Sequence, residues 1–380
     1  MSAPRVRFNE FRHNNDWQVF LIKDVANIQV GRDLREESFS ENQTATHKFP
    51  VYSNAVENWG LYGFYDFEEY QGNALTIIGR GAGLGKAYSR NSSFGAIGRL
   101  LIVSPKNNVF DVRYFAEYVN FKLVIHNESG GIPQLPGSTL GMYSVLLPSL
   151  DEQTKIATFL TAIDEKIAQL TQKHTLLMQY KKGMMQQIFS QELRFKDEDG
   201  RKFPEWEEKF LGEICECLDN LRKPLNDAER QKRKGAIPYW GANNIMDYVN
   251  DWIFDEPIVL LAEDGGNFNE YKTRPIANIS HGKCWVNNHA HVLKGTAAVS
   301  NEFLFYSLVH KNITGYVSGG TRSKLTKGEM LKILIDLPSP PEQTKIATFL
   351  TAIDDKLTHT QAQLTAVKQY KQALLQQMFV

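Results

Sequence analysis

The chain has 380 residues, 42% hydrophobic and 11% aromatic, enough to fill two cores of ordinary size and too apolar for a disordered segment. Lys plus Arg and Asp plus Glu number 43 each, so the formal charge is zero and the chain lacks the global positive charge of many autonomous nucleic-acid binders. Any DNA binding would need segregated charges or a partner that neutralises phosphates. The three cysteines, Cys215, Cys217 and Cys284, disfavour a disulfide framework. No apolar run reaches the ~18 residues of a membrane span, and residues 1–16 are charged without an apolar signal core, so a cytoplasmic location is expected.

In chain order, the first unit opens with Arg7-Phe8, Phe11, Trp17, Leu21 and Val25. The same residue types return at Arg194-Phe195, Phe203-Pro204, Trp206, Leu211 and Ile214, so a second copy starts near Gln191. Further in, Phe49-Pro50-Val51-Tyr52-Ser53-Asn54 faces Ile237-Pro238-Tyr239-Trp240-Gly241-Ala242-Asn243. The buried-strand pattern of residues 74–78 faces 257–261, and 100–103 faces 291–293. Amphipathic helices are expected from Val112 and from Asn301, and a Gly pair closes each unit, Gly130-Gly131 and Gly319-Gly320. Short strands, Gly turns and one or two helices define an α+β domain with a twisted sheet. The loops between these elements do not match. Gly79-Arg80-Gly81-Ala82-Gly83-Leu84-Gly85-Lys86 stands against Ala262-Glu263-Asp264-Gly265-Gly266-Asn267-Phe268-Asn269, and Ile132-Pro133-Gln134-Leu135 against Thr321-Arg322-Ser323-Lys324. One scaffold with two unlike loop sets is the pattern of two unlike binding surfaces.

Each unit ends in the same helix. Residues 152–164 read EQTKIATFLTAID, and the identical thirteen residues stand at 342–354, an offset of 190. Leu147-Pro148-Ser149 and Leu337-Pro338-Ser339 supply the stop and the cap, with acids in the first turn. Apolar residues follow at steps of four and three: Ile156, Leu160, Ile163, Ile167, Leu170, Leu177, Met184 and Ile188, with His174 and Lys181 in the remaining slots. The second copy holds Ile346, Leu350, Ile353, Leu357, Thr360, Leu364, Val367, Lys371, Leu374 and Met378 in the same frame. This is the 3.5-residue repeat of a coiled coil, so each helix of about 38 residues, roughly 57 Å long, needs a partner for its seam. Packing on its own domain is one solution. The economical one is the other copy, antiparallel about a pseudo-two-fold, with two α/β domains held apart by a paired-helix rod. The expected plan is a domain over 1–148, a spacer helix over 149–190, a domain over 191–338 and a spacer helix over 339–380.

Chemistry-bearing motifs are sparse. The glycine loop at 79–86 fails as a phosphate loop, because Arg80 replaces the first Gly and Ala87 the magnesium-binding hydroxyl. It reads as a surface hairpin or a basic turn whose amides, Arg80 and Lys86 approach a nucleic-acid backbone. His281, Cys284, His289 and His291 with Cys215 and Cys217 make a weak zinc pattern without counterparts in the other copy, so no metal site is expected, and His289 and His291 read as a strand edge. No catalytic set recurs in both copies. Nucleic-acid features are diffuse. Copy two carries Arg222, Lys223, Arg230, Lys232, Arg233 and Lys234 in one run, plus Lys272, Arg274, Arg322, Lys324 and Lys327; copy one offers Arg80, Lys86, Arg90 and Arg99. Beside them stand Tyr52, Asn54, Gln134, Trp240, Asn243, Asn244, Asn267 and Asn269, types that stack on bases or bond their edges.

The paired series at residues 147–164 and 337–354, each followed by Gln-Tyr-Lys (179–181, 369–371) and then by Gln-Gln and Phe (Phe189, Phe379), resembles the specificity subunit of Type I restriction-modification systems. The resemblance covers the whole chain. It implies two target recognition domains, each reading half of a bipartite, non-palindromic DNA site, with the helices as spacer and as docking surface for two modification subunits. It further implies a chain that catalyses nothing and binds no cofactor itself, with S-adenosylmethionine, ATP and Mg on partner subunits, restriction subunits among them. The competing class is a structural adaptor with peptide- or glycan-binding domains, disfavoured by the basic run at 230–234. A duplicated hydrolase is third.

Overall fold

The computed structural model describes residues 4–13, 17–125, 131–319 and 323–379; Gly130, Gly320, Thr321 and the candidate Arg322 lie outside them. The chain forms two compact units, residues 1–172 with 362–380, and residues 173–361.

The first unit carries a four-stranded antiparallel sheet in the order Ala26–Val30, Leu101–Pro105, Ala74–Ile77, Ala87–Arg90. The second repeats it strand for strand with Cys215–Cys217, Ala290–Gly295, Ile258–Ala262 and Ala277–Ser280. The central strand of each is buried along its length, Ala74–Ile77 and Ile258–Ala262, as an unbroken apolar run requires. A second sheet in each unit keeps the hairpin Phe49–Tyr52 with Leu61–Tyr65, or Lys234–Trp240 with Ile245–Val249, beside one parallel strand, Gly95–Ala96 or Lys283–Val286. It differs at its edge, where the first unit adds Phe39–Ser40 and the second Phe254–Asp255. The helices expected from Val112 and Asn301 run Val112–Lys122 and Asn301–Leu308, capped by Asp111 and Ser300 side chains.

The long helices run Leu150–Phe189 and Pro340–Met378. Each contributes its beginning to one unit and its end to the other. Within the first unit Lys371 binds Asp164 at 2.8 Å; within the second Lys181 binds Asp354 at 2.6 Å. These are the same two slots of the repeat exchanged between copies, and in both units partner numbers fall as residue numbers rise, so the helices are antiparallel. The seam residues Ile156, Leu160 and Ile163 are buried with Met378 and Phe379, and Ile346, Leu350 and Ile353 with Met185 and Ile188. Each helix start also packs on its own domain core, so both partners foreseen for the seam are used at once. Arg7 binds the fully buried Glu152 bidentately at 2.7 Å, and Arg194 binds Glu342 at 2.9 and 3.0 Å. A buried carboxylate is tolerated there because a guanidinium fork and the helix N-terminus both neutralise it. Phe8 against Phe159 and Phe195 against Phe349 repeat one edge contact at 5.7 Å. Among the described residues no helix is long and apolar enough to cross a membrane.

Candidate nucleic-acid interface

The unmatched loops converge at one place in each unit. In the first, the turn after the buried strand is zipped to the segment before Leu135: Leu135 N–H donates to Gly79 O at 2.8 Å and Gly81 N–H to Pro133 O at 3.0 Å, with Arg80 opposite Gln134. In the second, Leu325 N–H donates to Glu263 O at 2.7 Å and Gly265 N–H to Ser323 O at 3.1 Å, with Asp264 opposite Lys324. One asparagine locks each pair to the neighbouring hairpin. Asn54 accepts from Gly79 N–H at 2.9 Å and donates to Gly98 O; Asn243 accepts from Asn267 N–H at 3.2 Å and donates to Gly265 O at 3.0 Å. Backbone groups in such loops must find partners, and a side-chain amide carries both a donor and an acceptor. Asn54 and Asn243, expected to meet bases, therefore hold the loops in place.

Four more sequence candidates serve the frame. Arg90 is only 8% exposed; its Nε donates to Thr76 Oγ1 at 2.9 Å, its Nη2 to Trp59 O at 2.7 Å, and its guanidinium lies 3.4 Å over the Tyr52 ring. Burial draws that guanidinium below its ordinary pKa, with Tyr52 opposing. Strand register puts Ser280 in the corresponding place, and Ser280 Oγ accepts from Trp240 Nε1 at 3.2 Å. Tyr52 and Trp240 are thus half-buried props under their hairpins. Asn267 turns its amide onto Pro275 O at 3.0 Å.

Arg80, Lys86 and Gln134 in the first unit, and Asn244, Asn269, Lys272, Arg274 and Lys324 in the second, remain exposed. Among the described residues neither Arg80 nor Lys86 has a carboxylate partner. The turn that carries them is tight. Ile78 N–H donates to Lys86 O at 2.9 Å, and Gly85 sits at φ 84°, where an added Cβ would also strike Ile125 at 2.5 Å. Strand Ala87–Arg90 follows it, with no helix N-terminus to cradle phosphate, which closes the phosphate-loop reading.

The second unit's cations are largely neutralised at home. Arg230 pairs with Asp227 and Asp247, Arg233 with Asp251, Lys234 with Asp247, and Arg274 with Glu270. Arg230, Arg233 and Lys234 of the basic run are therefore held in ion pairs, with Asp227 on the helix that carries Arg230 and with Asp247 and Asp251, which the hairpin brings back beside them. Behind the loop pair, Glu263 binds Arg222 at 2.6 Å and Lys324 at 3.4 Å. Asp219 binds His291 Nδ1 at 2.7 Å, and His291 Nε2 reaches Leu325 O at 2.9 Å. Burial would raise the Asp219 pKa, but bonds from His291 and Val292 N–H, with the Arg222 charge, bring it below the ordinary value. Cys217, Asp219 and His291 lie close enough to suggest a cation site. Both ring nitrogens of His291 are already within hydrogen-bond distance of protein oxygens, Asp219 Oδ2 and Leu325 O, so the ring is engaged by the fold on both sides. His291 is also no strand-edge residue: it is 1% exposed on Ala290–Gly295, which is paired on both sides. In the first unit, strand and loop register put Leu101, Gly79 and Gln134 where the second has His291, Glu263 and Lys324. Cys215, buried and donating to Leu211 O at 3.1 Å, is pushed up to about 12 by burial and is no nucleophile near neutrality.

Sequence reasoning missed Trp59. It is 67% exposed and left-handed at φ 52°, following Asn58 at φ 47°. That conformation costs roughly 1 kcal/mol or more per non-glycine residue. No periodicity marks Trp59, but the unequal lengths of the two hairpin loops could have drawn attention to it.

Two copies of one α+β frame, joined through long helices, present two unlike loop pairs, a duplicated scaffold with divergent loops. The sequence pattern of the Type I restriction modification DNA specificity domain matches residues 14–178 and again 204–369. The chain belongs to that family. It is 38% identical over 150 residues, 39% of this chain, to a Haemophilus influenzae chain named for a type I restriction enzyme specificity subunit, and 23% identical over 296 residues, 70% of this chain, to the MjaIX specificity subunit of Methanocaldococcus jannaschii. Those matches span 37% and 66% of the relatives' own lengths. The solved structure of a Type-I restriction-modification S subunit from M. genitalium shares the fold, with TM-score 0.71 and 17% identity over 100% of this chain and 99% of that one.

Proposed function

We propose that this chain is the DNA-specificity subunit of a Type I restriction-modification complex, without catalytic activity of its own. Each unit reads one half of a bipartite, non-palindromic site through its loop pair. The long helices set the unread gap and dock two modification subunits, which carry S-adenosylmethionine; restriction subunits, with ATP and Mg, complete the assembly. One observation carries the reading: identical backbone bonds hold two chemically unlike loop pairs, one basic and glycine-rich, the other acidic and amide-rich. A conserved frame with divergent contents is what two different half-sequences demand. Arg80, Lys86, Gln134, Asn244, Asn269 and Lys272 are the groups left for phosphates and base edges, joined by Arg274 and Lys324 where DNA phosphates compete with Glu270 and Glu263 for them.

The test is to express the chain with its modification subunits and map methylated positions across the host genome. A two-part motif with a constant gap is expected. Exchanging residues 52–136 for another recognition domain changes one half only; a change in both halves, or none, defeats the reading.

A further inference from the structure

The hairpin that ends in Tyr52 differs between the units in a way the loop pairs do not explain. In the second unit residues 241–244 close the turn between Trp240 and Ile245; in the first, residues 53–60 lie between Tyr52 and Leu61. The added chain carries Trp59, two-thirds exposed, between Asn58 and Gly60, and all three residues are left-handed.

That conformation is held from several sides. Ser53 N–H donates to Gly60 O at 2.8 Å, Tyr88 Oη to Val56 O at 3.3 Å, and the buried Arg90 to Trp59 O at 2.7 Å. A core that commits a buried guanidinium to one loop carbonyl, yet leaves the adjacent indole in water, holds that indole for something outside the fold. The same hairpin lies against the basic glycine turn. Asn54 bonds Gly79, and a Cβ on Gly83 would strike Val56 at 2.4 Å. Trp59 is therefore carried by the hairpin that packs on the turn bearing Arg80 and Lys86, exposed cations without a carboxylate partner among the described residues. An exposed aromatic on a hairpin packed against a turn with two exposed cations matches a polyanion with flat apolar faces, which is a nucleic acid, better than it matches a protein surface.

Resting on the function proposed above, we infer that Trp59 is a specificity-determining residue of the first unit: its indole enters the groove of that unit's half-site and packs against base edges. Arg90 is its positioning residue. The indole offers an apolar face suited to a thymine methyl and a single N–H donor, so it discriminates by shape and by acceptor.

The experiment compares wild type, Trp59→Ala and Trp59→Phe, each expressed with the modification subunits, by genome-wide methylation mapping and by gel filtration of the purified complex. With Trp59→Ala, one half of the motif becomes degenerate at one or more positions, the other half is unchanged, and the complex stays assembled. An unaltered motif overturns the inference while leaving the function standing. Loss of assembly with the modification subunits overturns it in favour of a protein contact. If Trp59→Ala abolishes methylation altogether, emission decides: adding duplex that contains the mapped site quenches tryptophan emission more in wild type than in Trp59→Phe. Equal quenching in the two overturns the inference. A wild type without a bipartite motif is the separate failure of the function itself.

Discussion

The two loop pairs hang from matching hydrogen bonds and are stiffened by opposite means. In the first unit Gly79 to Lys86 is pinned by backbone contacts, by Asn54 and by a crowded hairpin, and its cations face outward without carboxylate partners among the described residues. In the second, Glu263, Asp219 and Arg222 form a largely buried ion-pair anchor beneath the loops, hydrogen-bonded to His291, with Lys324 at its edge. The difference teaches that one frame can vary both what it presents and how firmly it presents it. Where Gly79, Leu101 and Gln134 stand, no charge is buried, so no counter-charge has to be supplied.

The sharpest way to break this contrast is to remove the anchor. Asp219→Ala leaves His291 and Arg222 short of a buried partner and should cost on the order of 3 kcal/mol. Urea unfolding measures the loss, and hydrogen exchange should confine it to the second unit. The pH sense follows from the depressed Asp219 pKa: its contribution is complete above the unfolded value of about 3.9 and disappears as pH falls through the lower folded value. Wild type should lose protection at Leu325 in acid, in a step that the variant lacks. Protection of the first unit falling equally would erase the distinction.

A smaller effect tests what the units share. Asn54→Ala and Asn243→Ala each remove two hydrogen bonds of the same design and should each cost about 1–2 kcal/mol. Exchange at the Gly79 and Asn267 amides reports them separately. A large effect in one unit alone would mean that only one loop pair depends on its asparagine.

The finest distinction is electrostatic. For the assembled complex on its mapped site, Arg80→Ala and Lys86→Ala should each lower the slope of log affinity against log salt by about one. Lys324→Ala should lower it less, because Glu263 already faces that ammonium. Arg233→Ala, paired with Asp251, should leave the slope unchanged. A full unit lost at Arg233 would return the basic run to the DNA-facing surface.

Much of the fold was legible because its signals are local. The EQTKIATFLTAID repeat and the four-three seam predict two like helices, and the exchanged pairs Asp164–Lys371 and Lys181–Asp354 occupy slots already visible in that frame. Of the two serine caps expected, Ser149 accepts from Glu152 N–H, whereas the buried Ser339 hydroxyl has no partner among the described residues. The buried strands followed from unbroken apolar runs. The candidate site was legible only as loops. Arg90, Tyr52, Asn54 and Asn243 looked like ligand-facing residues because nothing nearby in sequence satisfies them; their partners Thr76, Phe94, Gly98 and Gly265 arrive from other strands and turns. Trp59 was overlooked for the converse reason, since an aromatic in an irregular loop carries no periodicity to say whether it is buried.

The amino-acid order alone determined that this protein is one plan written twice, with two seamed helices and two unlike sets of loops, because duplication and helical period are properties of neighbours along the chain. Tertiary structure decided which polar groups hold the loops and which remain for a partner. A hydrogen bond or ion pair satisfies its groups wherever they meet in space, and here those meetings join residues many positions apart.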